Sequence, residues 1–183
     1  MTVTAAITAE AQNMPVPVDL QQALFQKILS YDRSLTCKSS GKTVIGIIYQ
    51  SRYITSRNVG KSFAEALEKS PDRNLPGKTI EYALIDITGS DIDELIASYD
   101  PDVLYVAPVR AVNIAEIASI CRSRGILSIT GIPEYCHQGL SVGIDEHKGH
   151  PRIIVNLAAS RAEGADFSAQ FLQFVTIIGE KPE

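Results

Sequence analysis

The chain contains no tryptophan, and only three of its 183 residues are cysteine. An odd count leaves at least one of Cys37, Cys121 and Cys136 without an intramolecular partner. Cys121 is expected late in a helix and Cys136 just beyond the next strand. A six-residue strand of ~20 Å would then hold the two sulfurs near opposite ends of a sheet, beyond the ~7 Å Cα separation a disulfide tolerates. Positive charge is also in short supply. Lys plus Arg total 17 against 21 acidic residues, a net charge of −4 and a pI near 5.4, which argues against nucleic acid or an anionic membrane surface as partner. No window of about 18 uninterrupted apolar residues exists, so nothing in the sequence reads as membrane-spanning. The opening "MTVTAAITAEAQNMPVPVDL" has no basic n-region and too short an apolar run for an intact signal peptide. Residues 1–14 are expected to be a disordered tail or the remnant of a trimmed signal peptide, with residues 15–183 forming one domain.

The glycine signatures of nucleotide chemistry are missing too. "TSRNVGKSF", Thr55 to Phe63, contains the Gly60-Lys61-Ser62 ending of a P-loop. That motif needs a first glycine where the chain curls back so that backbone N–H groups face phosphate. Here the position is Thr55, a β-branched residue that disfavours such conformations. The segment also leaves its strand near Tyr49, several residues too early, and is read as a loop leading to a helix over 59–69. "YALID", ending at Asp86, imitates an acidic Mg²⁺ strand only in outline. Gly41 and Gly46 flank or sit inside the first strand, not in a G-x-G-x-x-G turn, and no G-x-S-x-G elbow occurs.

Other chemistry fares no better. His147 and His150 lie three apart, and Cys136-His137 is close in sequence, but zinc needs three or four rigid ligands, and the histidines read as exposed hairpin residues. Adjacent Cys136 and His137 do not make a nucleophile–base pair, which is assembled from distant segments. Asp91, Asp93 and Glu94 fall in the first turn of a helix, where the macrodipole accounts for them. The sequence therefore offers no catalytic residue, no metal ligand set and no cofactor site.

What is present is a regular alternation. Leu20, Leu24, Ile28, Tyr31 and Leu35 predict an apolar face on an opening helix that begins at Pro17-Val18-Asp19. Apolar runs at 43–49, 79–87, 101–108 and 125–131 read as strands buried on both faces. Between them, residues 59–69, "GSDIDELIASYD" and 112–124 read as helices, the first facing inward with Val59, Phe63, Ala66 and Leu67. "GLSVGID" and "PRIIVNL", joined by "EHKGH", predict a β-hairpin. A last helix over roughly 166–176 is expected to pack Phe167, Phe171, Leu172 and Val175. The pattern predicts an α/β fold: a three-layer α/β/α sandwich with a mostly parallel, doubly wound, Rossmann-like sheet and a C-terminal antiparallel hairpin at its edge.

In open α/β sheets, ligands bind beyond the carboxyl ends of the strands. Ser51, Arg52, Arg110 and Glu134 follow such ends and are candidate ligand or partner contacts, Arg110 in particular as an anion site. Arg152 and Asn156 lie four apart on one strand and share a face. They are candidates either for a structural network or for a partner contact, since polar groups in an apolar strand are hydrogen-bonded or exposed.

The last third, "QGLSVGIDEHKGHPRIIVNLAASRAEGADFSAQFLQFVTII", resembles the end of the YfiR-like family. There a glycine opens a strand, a hairpin follows, and an Arg-apolar-x-apolar-Asn strand leads through small residues and a glycine bend to a final helix. Gly139, Arg152, Ile154, Asn156, Ala158, Ala159, Gly164, Ser168 and Leu172 carry the match. "PDVLYVAP", "GILSITGIPEY" and "LFQKILSYDRSL" resemble the family's middle and first helix, so the likeness covers roughly residues 18–178. The chain departs from the family in lacking a Trp-Pro after the first helix and the two-disulfide framework of one branch. The resemblance implies a small, exported, dimeric regulator. Such a protein docks in the periplasm on a membrane-bound signalling enzyme, typically a diguanylate cyclase or a sensor histidine kinase, and is not itself an enzyme. The middle also looks like one lobe of a periplasmic solute-binding protein, which implies the competing role of a small-molecule-binding module.

Overall fold

A computed structural model describes residues 14–37, 41–70, 74–75 and 77–179. Helix α1 (Val18–Leu29) and the short α2 (Arg33–Cys37) precede strand β1 (Lys42–Tyr49) and helix α3 (Ile54–Lys69). Next come β2 (Asn74–Leu75), β3 (Lys78–Asp86), α4 (Ile92–Tyr99), β4 (Val103–Val106), α5 (Ile114–Arg124) and β5 (Leu127–Thr130). The chain closes with α6 (Pro133–His137), β6 (Val142–His147), β7 (His150–Asn156), α7 (Leu157–Ala162), α8 (Ala169–Leu172) and β8 (Thr176–Ile178).

The strands form one eight-stranded sheet in the order β2-β3-β1-β4-β5-β6-β7-β8. From β3 through β6 all pairs are parallel; β2 and β7 are antiparallel to their inner neighbours, and β8 lies parallel to β7. Successive strand residues point to opposite faces, so the continuous apolar runs fill two cores at once. On one face Ile45, Ile47, Val103, Tyr105, Leu127 and Ile129 meet Phe25 of α1 and Phe63 of α3. On the other Ile48, Ile85, Leu104 and Val106 meet Ile96 of α4 and Ile117 and Cys121 of α5. Phe63 stacks on Tyr105 at 3.8 Å between ring centres, with Phe25 edge-on to both. Each such fully buried ring contributes about 1.5–3 kcal/mol of transfer free energy.

The three-layer architecture and the β6–β7 hairpin are as the sequence predicts; several elements differ. Residues Thr55–Ser62 are not a loop: they lie inside α3, which starts at Ile54, so the P-loop imitation is an ordinary helical stretch. Gly60 is there for packing, because a Cβ on it would meet Tyr49 Cβ at 3.0 Å. The inward face of α3 is Val59, Phe63, Ala64 and Leu67, with Ala66 only half-buried. On α1 the buried face is Gln21, Gln22, Phe25, Ile28 and Leu29, whereas Leu20 is exposed and Tyr31 and Leu35 lie past the helix end. The stripe turns because Gln21, completely buried, donates Nε2 to Val16 O and accepts from Tyr105 Oη. A buried glutamine with both ends bonded costs little, and hydrophobicity alone does not find it.

The C-terminal helix expected over 166–176 is only the single-turn α8, followed by β8. The hairpin is therefore not the sheet edge: β8 covers β7. Its turn is Lys148-Gly149, both with positive φ (53° and 78°), the geometry that matches strand twist in a two-residue hairpin. Met14 packs against the first core cluster; the rest of the expected tail, residues 1–13, lies outside the described residues.

Candidate functional site

The strand order reverses direction between β1 and β4, which makes the loops after these strands the topological switch point. Here the structure brings together Ser51, Arg52 and Arg110. Gln50 bridges the two loops reciprocally: its Nε2 donates to Arg110 O at 3.0 Å, and its Oε1 accepts from Arg110 N at 2.8 Å. Ser51 N donates to Asp86 Oδ1 and Thr88 Oγ1, both at 3.0 Å, tying the first loop to the end of β3. The Arg110 guanidinium lies 4.2 Å above the Tyr53 ring, a cation–π contact. Arg57, one turn into α3, reaches back to Ser51 O at 3.5 Å. Among the described residues no carboxylate pairs with Arg52, Arg57 or Arg110. Asp86 is engaged by Ser51 of the first loop and by Thr88 of its own. Burial pushes its carboxyl up, but hydrogen bonds from Ser51 and Thr88 outweigh that and hold it at about 2.

Glu134 stands apart from this group, exposed in the first turn of α6 and in no polar contact with Arg110 or the 50–53 loop. Its neighbour Tyr135 joins α6 to the second loop: the phenol accepts from Val109 N and donates to Val109 O. Burial pushes that phenol up to about 12. Arg152 and Asn156 belong to another region. Arg152 pairs across the hairpin with Asp145, its register partner, while its Nε is buried without a partner. Asn156 caps α7 by accepting from Ala159 N at 3.1 Å, and its Nδ2 donates to Cys136 O at 3.0 Å. Both side chains make structural contacts here.

Of the residues considered for chemistry, Asp91 caps α4 through Glu94 N, and Asp93 pairs with Arg124. His147 and His150 face each other at the exposed hairpin tip. Cys136 is buried and its neighbour His137 exposed, so the two do not face one another. Burial raises the thiols of both Cys136 and Cys121, and the nearby Glu163 carboxylate raises them further. Both cysteines are free: Cys121 O accepts from Ile126 N just before the start of β5, whereas a Cβ on Gly143, the register partner of Thr130 at the end of β5, would meet Cys136 Sγ.

Two features escaped the sequence reading. Glu163, just past α7, is only 2% exposed and accepts from Ser128 N at 2.8 Å, from Ser128 Oγ at 2.7 Å and from Ser141 Oγ. The serines sit in apolar strand runs and gave no separate signal. The second feature is an apolar groove of about 340 Å³ between α1, β7 and α8, lined by Leu24, Ile28, Tyr31, Ile153, Phe171 and Phe174 among others. Phe174 is 79% exposed, and Leu20 and Ile177 are also exposed on the outside of the fold. The run "FLQFV" could have been flagged, but a continuous helix would have turned its apolar side inward.

Comparison with known proteins agrees with the sequence resemblance. The profile of the YfiR/HmsC-like family matches residues 21–176. No curated protein matches. Similar solved structures include a conserved domain protein from Vibrio cholerae, with a TM-score of 0.60 and 13% identity over 88% of this chain and 60% of that one. An ABC domain in complex with L-Trp from Streptococcus pneumonia gives 0.61 and 14% over 88% of this chain and 60% of its own. A ligand-free, open substrate-binding protein with adhesive properties from Clostridium difficile gives 0.57 and 19% over 91% and 61%. At these identities the likeness is one of fold, and the chain spans about 60% of the length of each. The chain belongs to the YfiR/HmsC-like family.

Proposed function

We propose that this chain is an exported, non-enzymatic regulator that works in the periplasm by protein–protein contact. Its partner is a membrane-bound signalling protein, a diguanylate cyclase or a sensor histidine kinase, and the regulator itself is a homodimer. Family membership supports the class of function. Among the described residues no helix is long and apolar enough to cross a membrane. The observation that carries the reading is the apolar groove under Phe174. A contiguous exposed apolar surface is uncommon on a protein that works alone and marks a contact site. The switch-point loops, by contrast, are bridged to one another by Gln50 and the Arg110 backbone.

A second reading is supported by the fold likeness to an L-Trp complex and to a substrate-binding protein. On it, Ser51, Arg52 and Arg110 form one side of a site for a small anionic or zwitterionic molecule, with Tyr53 as its aromatic floor. Glu134 belongs to the opposite wall on this reading. Arg152 and Asn156 remain proposed partner contacts only through their effect on the hairpin.

The test uses tagged chain to capture proteins from detergent-solubilised membranes, followed by assay of the captured cyclase or kinase with and without the regulator. Phe174→Glu is expected to reduce capture at least about tenfold, a loss of ~1.4 kcal/mol, with the fold intact because Phe174 is exposed. Arg110→Glu is expected to leave capture unchanged and to abolish any thermal shift with amino acids. Captured partners that include neither a cyclase nor a kinase, or equal capture by Phe174→Glu, overturn the reading.

A further inference from the structure

A cavity of about 410 Å³ opens between α1, the end of α3 and β3. It shares no described lining residue with the groove under Phe174 or with the switch-point loops. Leu67 of α3 with Ile80 and Tyr82 of β3 supply its apolar wall, and Gln22 and Gln26 of α1 its polar one. The volume lies within the range of roughly 300–1,000 Å³ that small-molecule sites occupy. Among the described residues lining it the only carboxylate, Glu81, is paired with Lys42 at 3.0 Å, and there is no lysine, arginine or histidine. A charged ligand would therefore give up its hydration without meeting a free countercharge.

Gln22 and Gln26 lie four apart and so share one face of α1. Gln22 Nε2 donates to Gln26 Oε1 at 2.8 Å, and Ser70 Oγ donates to the same oxygen at 3.0 Å. These two bonds fix both amides. They leave Gln22 Oε1 as an acceptor and Gln26 Nε2 as a donor, neither with a partner among the described residues. Gln22 is only 5% exposed, yet its oxygen is not sealed off: among the described residues the side-chain atoms closed to solvent without a partner are Asp32 Oδ2 and Arg152 Nε. Gln22 lines the cavity, and that is where its oxygen opens. A nearly buried amide carbonyl without a donor costs free energy that a ligand N–H returns.

We infer that this cavity is a binding site for a small uncharged ring carrying a cis amide, a lactam or cyclic imide. Gln22 Oε1 accepts from the ring N–H, and Gln26 Nε2 donates to the ring carbonyl. A ring amide presents both groups along one edge, whereas an open-chain trans amide points them opposite ways. The remainder of the ring is apolar and lies against Leu67, Ile80 and Tyr82. A sugar or polyol fits less well, because its hydroxyls would face that apolar wall unpaired. The site stands or falls independently of the regulatory role and of the switch-point loops.

The test is a heteronuclear NMR titration of the full chain with the lactam 2-piperidone, alongside N-methyl-2-piperidone, which keeps the carbonyl and loses the N–H. Saturable shifts of the Gln22 and Gln26 side-chain amide resonances are expected with 2-piperidone alone. Gln22→Met keeps the side-chain volume and removes the acceptor, and it should weaken binding at least tenfold. Should Gln22→Met fail to fold, Thr79→Trp, at an exposed position on the cavity wall, fills the space and should remove binding. No saturable shift with 2-piperidone, saturation that leaves both glutamine resonances unmoved, or equal binding of the N-methyl compound would each overturn the inference. Binding unchanged in the variant that folds would do the same.

Discussion

Replacing Glu163 with Gln should change how stability depends on pH more than it changes stability at any one pH. Two forces act on this carboxyl. Burial disfavours its charge, while hydrogen bonds from Ser141 and Ser128 favour it, with Arg122 adding a weaker favourable field. Burial wins, and the group is held at about 7 against an ordinary 4.5. That gap, at ~1.36 kcal/mol per pKa unit, is about 3 kcal/mol. The folded state binds the proton more tightly than the unfolded chain. The contribution is thus fully present below pH 4.5, declines as pH rises, and is gone above about 7. Between pH 5 and 8.5 the wild type should lose about 2.5 kcal/mol that the non-titrating Glu163→Gln does not lose. Urea unfolding of both proteins across this range would measure the difference, followed by far-ultraviolet circular dichroism because there is no tryptophan to report. A difference that stays flat, or that grows in favour of the wild type as pH rises, would refute the reasoning. It would mean that the serine donors outweigh desolvation and hold the carboxylate ionised.

The opposite sign is expected at Asp86. Its folded value is depressed to about 2 from 3.8, so its stabilisation is present above pH 4 and fades as pH falls through 2. The wild-type advantage over Asp86→Asn should therefore shrink between pH 4 and 2, and an advantage unchanged at pH 2 would show that the charge does not matter. Packing makes a third prediction. A Cβ on Gly143 would lie 2.6 Å from Cys136 Sγ, so Gly143→Ala should cost about 1–3 kcal/mol by overpacking. Cys136→Ala should relieve most of that cost in the double mutant, and additive losses in chemical denaturation would place the strain elsewhere.

Where the sequence reading succeeded, the signal was local and repetitive. Apolar runs such as Thr43–Tyr49 and the hairpin flanking Lys148-Gly149 identify themselves, because burial on both faces and a two-residue turn leave few alternatives. The Arg152 and Asn156 pair was recognised as polar residues needing partners, and the structure supplies Asp145, Ala159 and Cys136 O. Reading failed where a residue's partner is distant. Gln21 looks like a surface residue until Tyr105 is placed over it, 84 positions along the chain. The last helix was overextended because "FLQFV" suits either a helix face or a strand, and only pairing with Ile154–Asn156 selects β8. Leu20 reads by type as part of an apolar face, whereas its exposure depends on which neighbour covers it.

By itself, the sequence determined the alternation of strand and helix, the parallel sheet that alternation enforces, and the absence of nucleotide-binding glycines. These follow from periodicity and backbone chemistry within about ten residues. Tertiary structure alone decided which loops meet at the switch point, where the apolar groove opens and which polar atoms are buried without a partner. Asp32, Asp102 and Glu163 span 131 positions of chain and share one cavity only because the sheet brings the starts of β4 and β5 beside α2 and α7. Desolvation and hydrogen-bond satisfaction depend on everything that surrounds a group, and that surrounding exists only once the layers have packed.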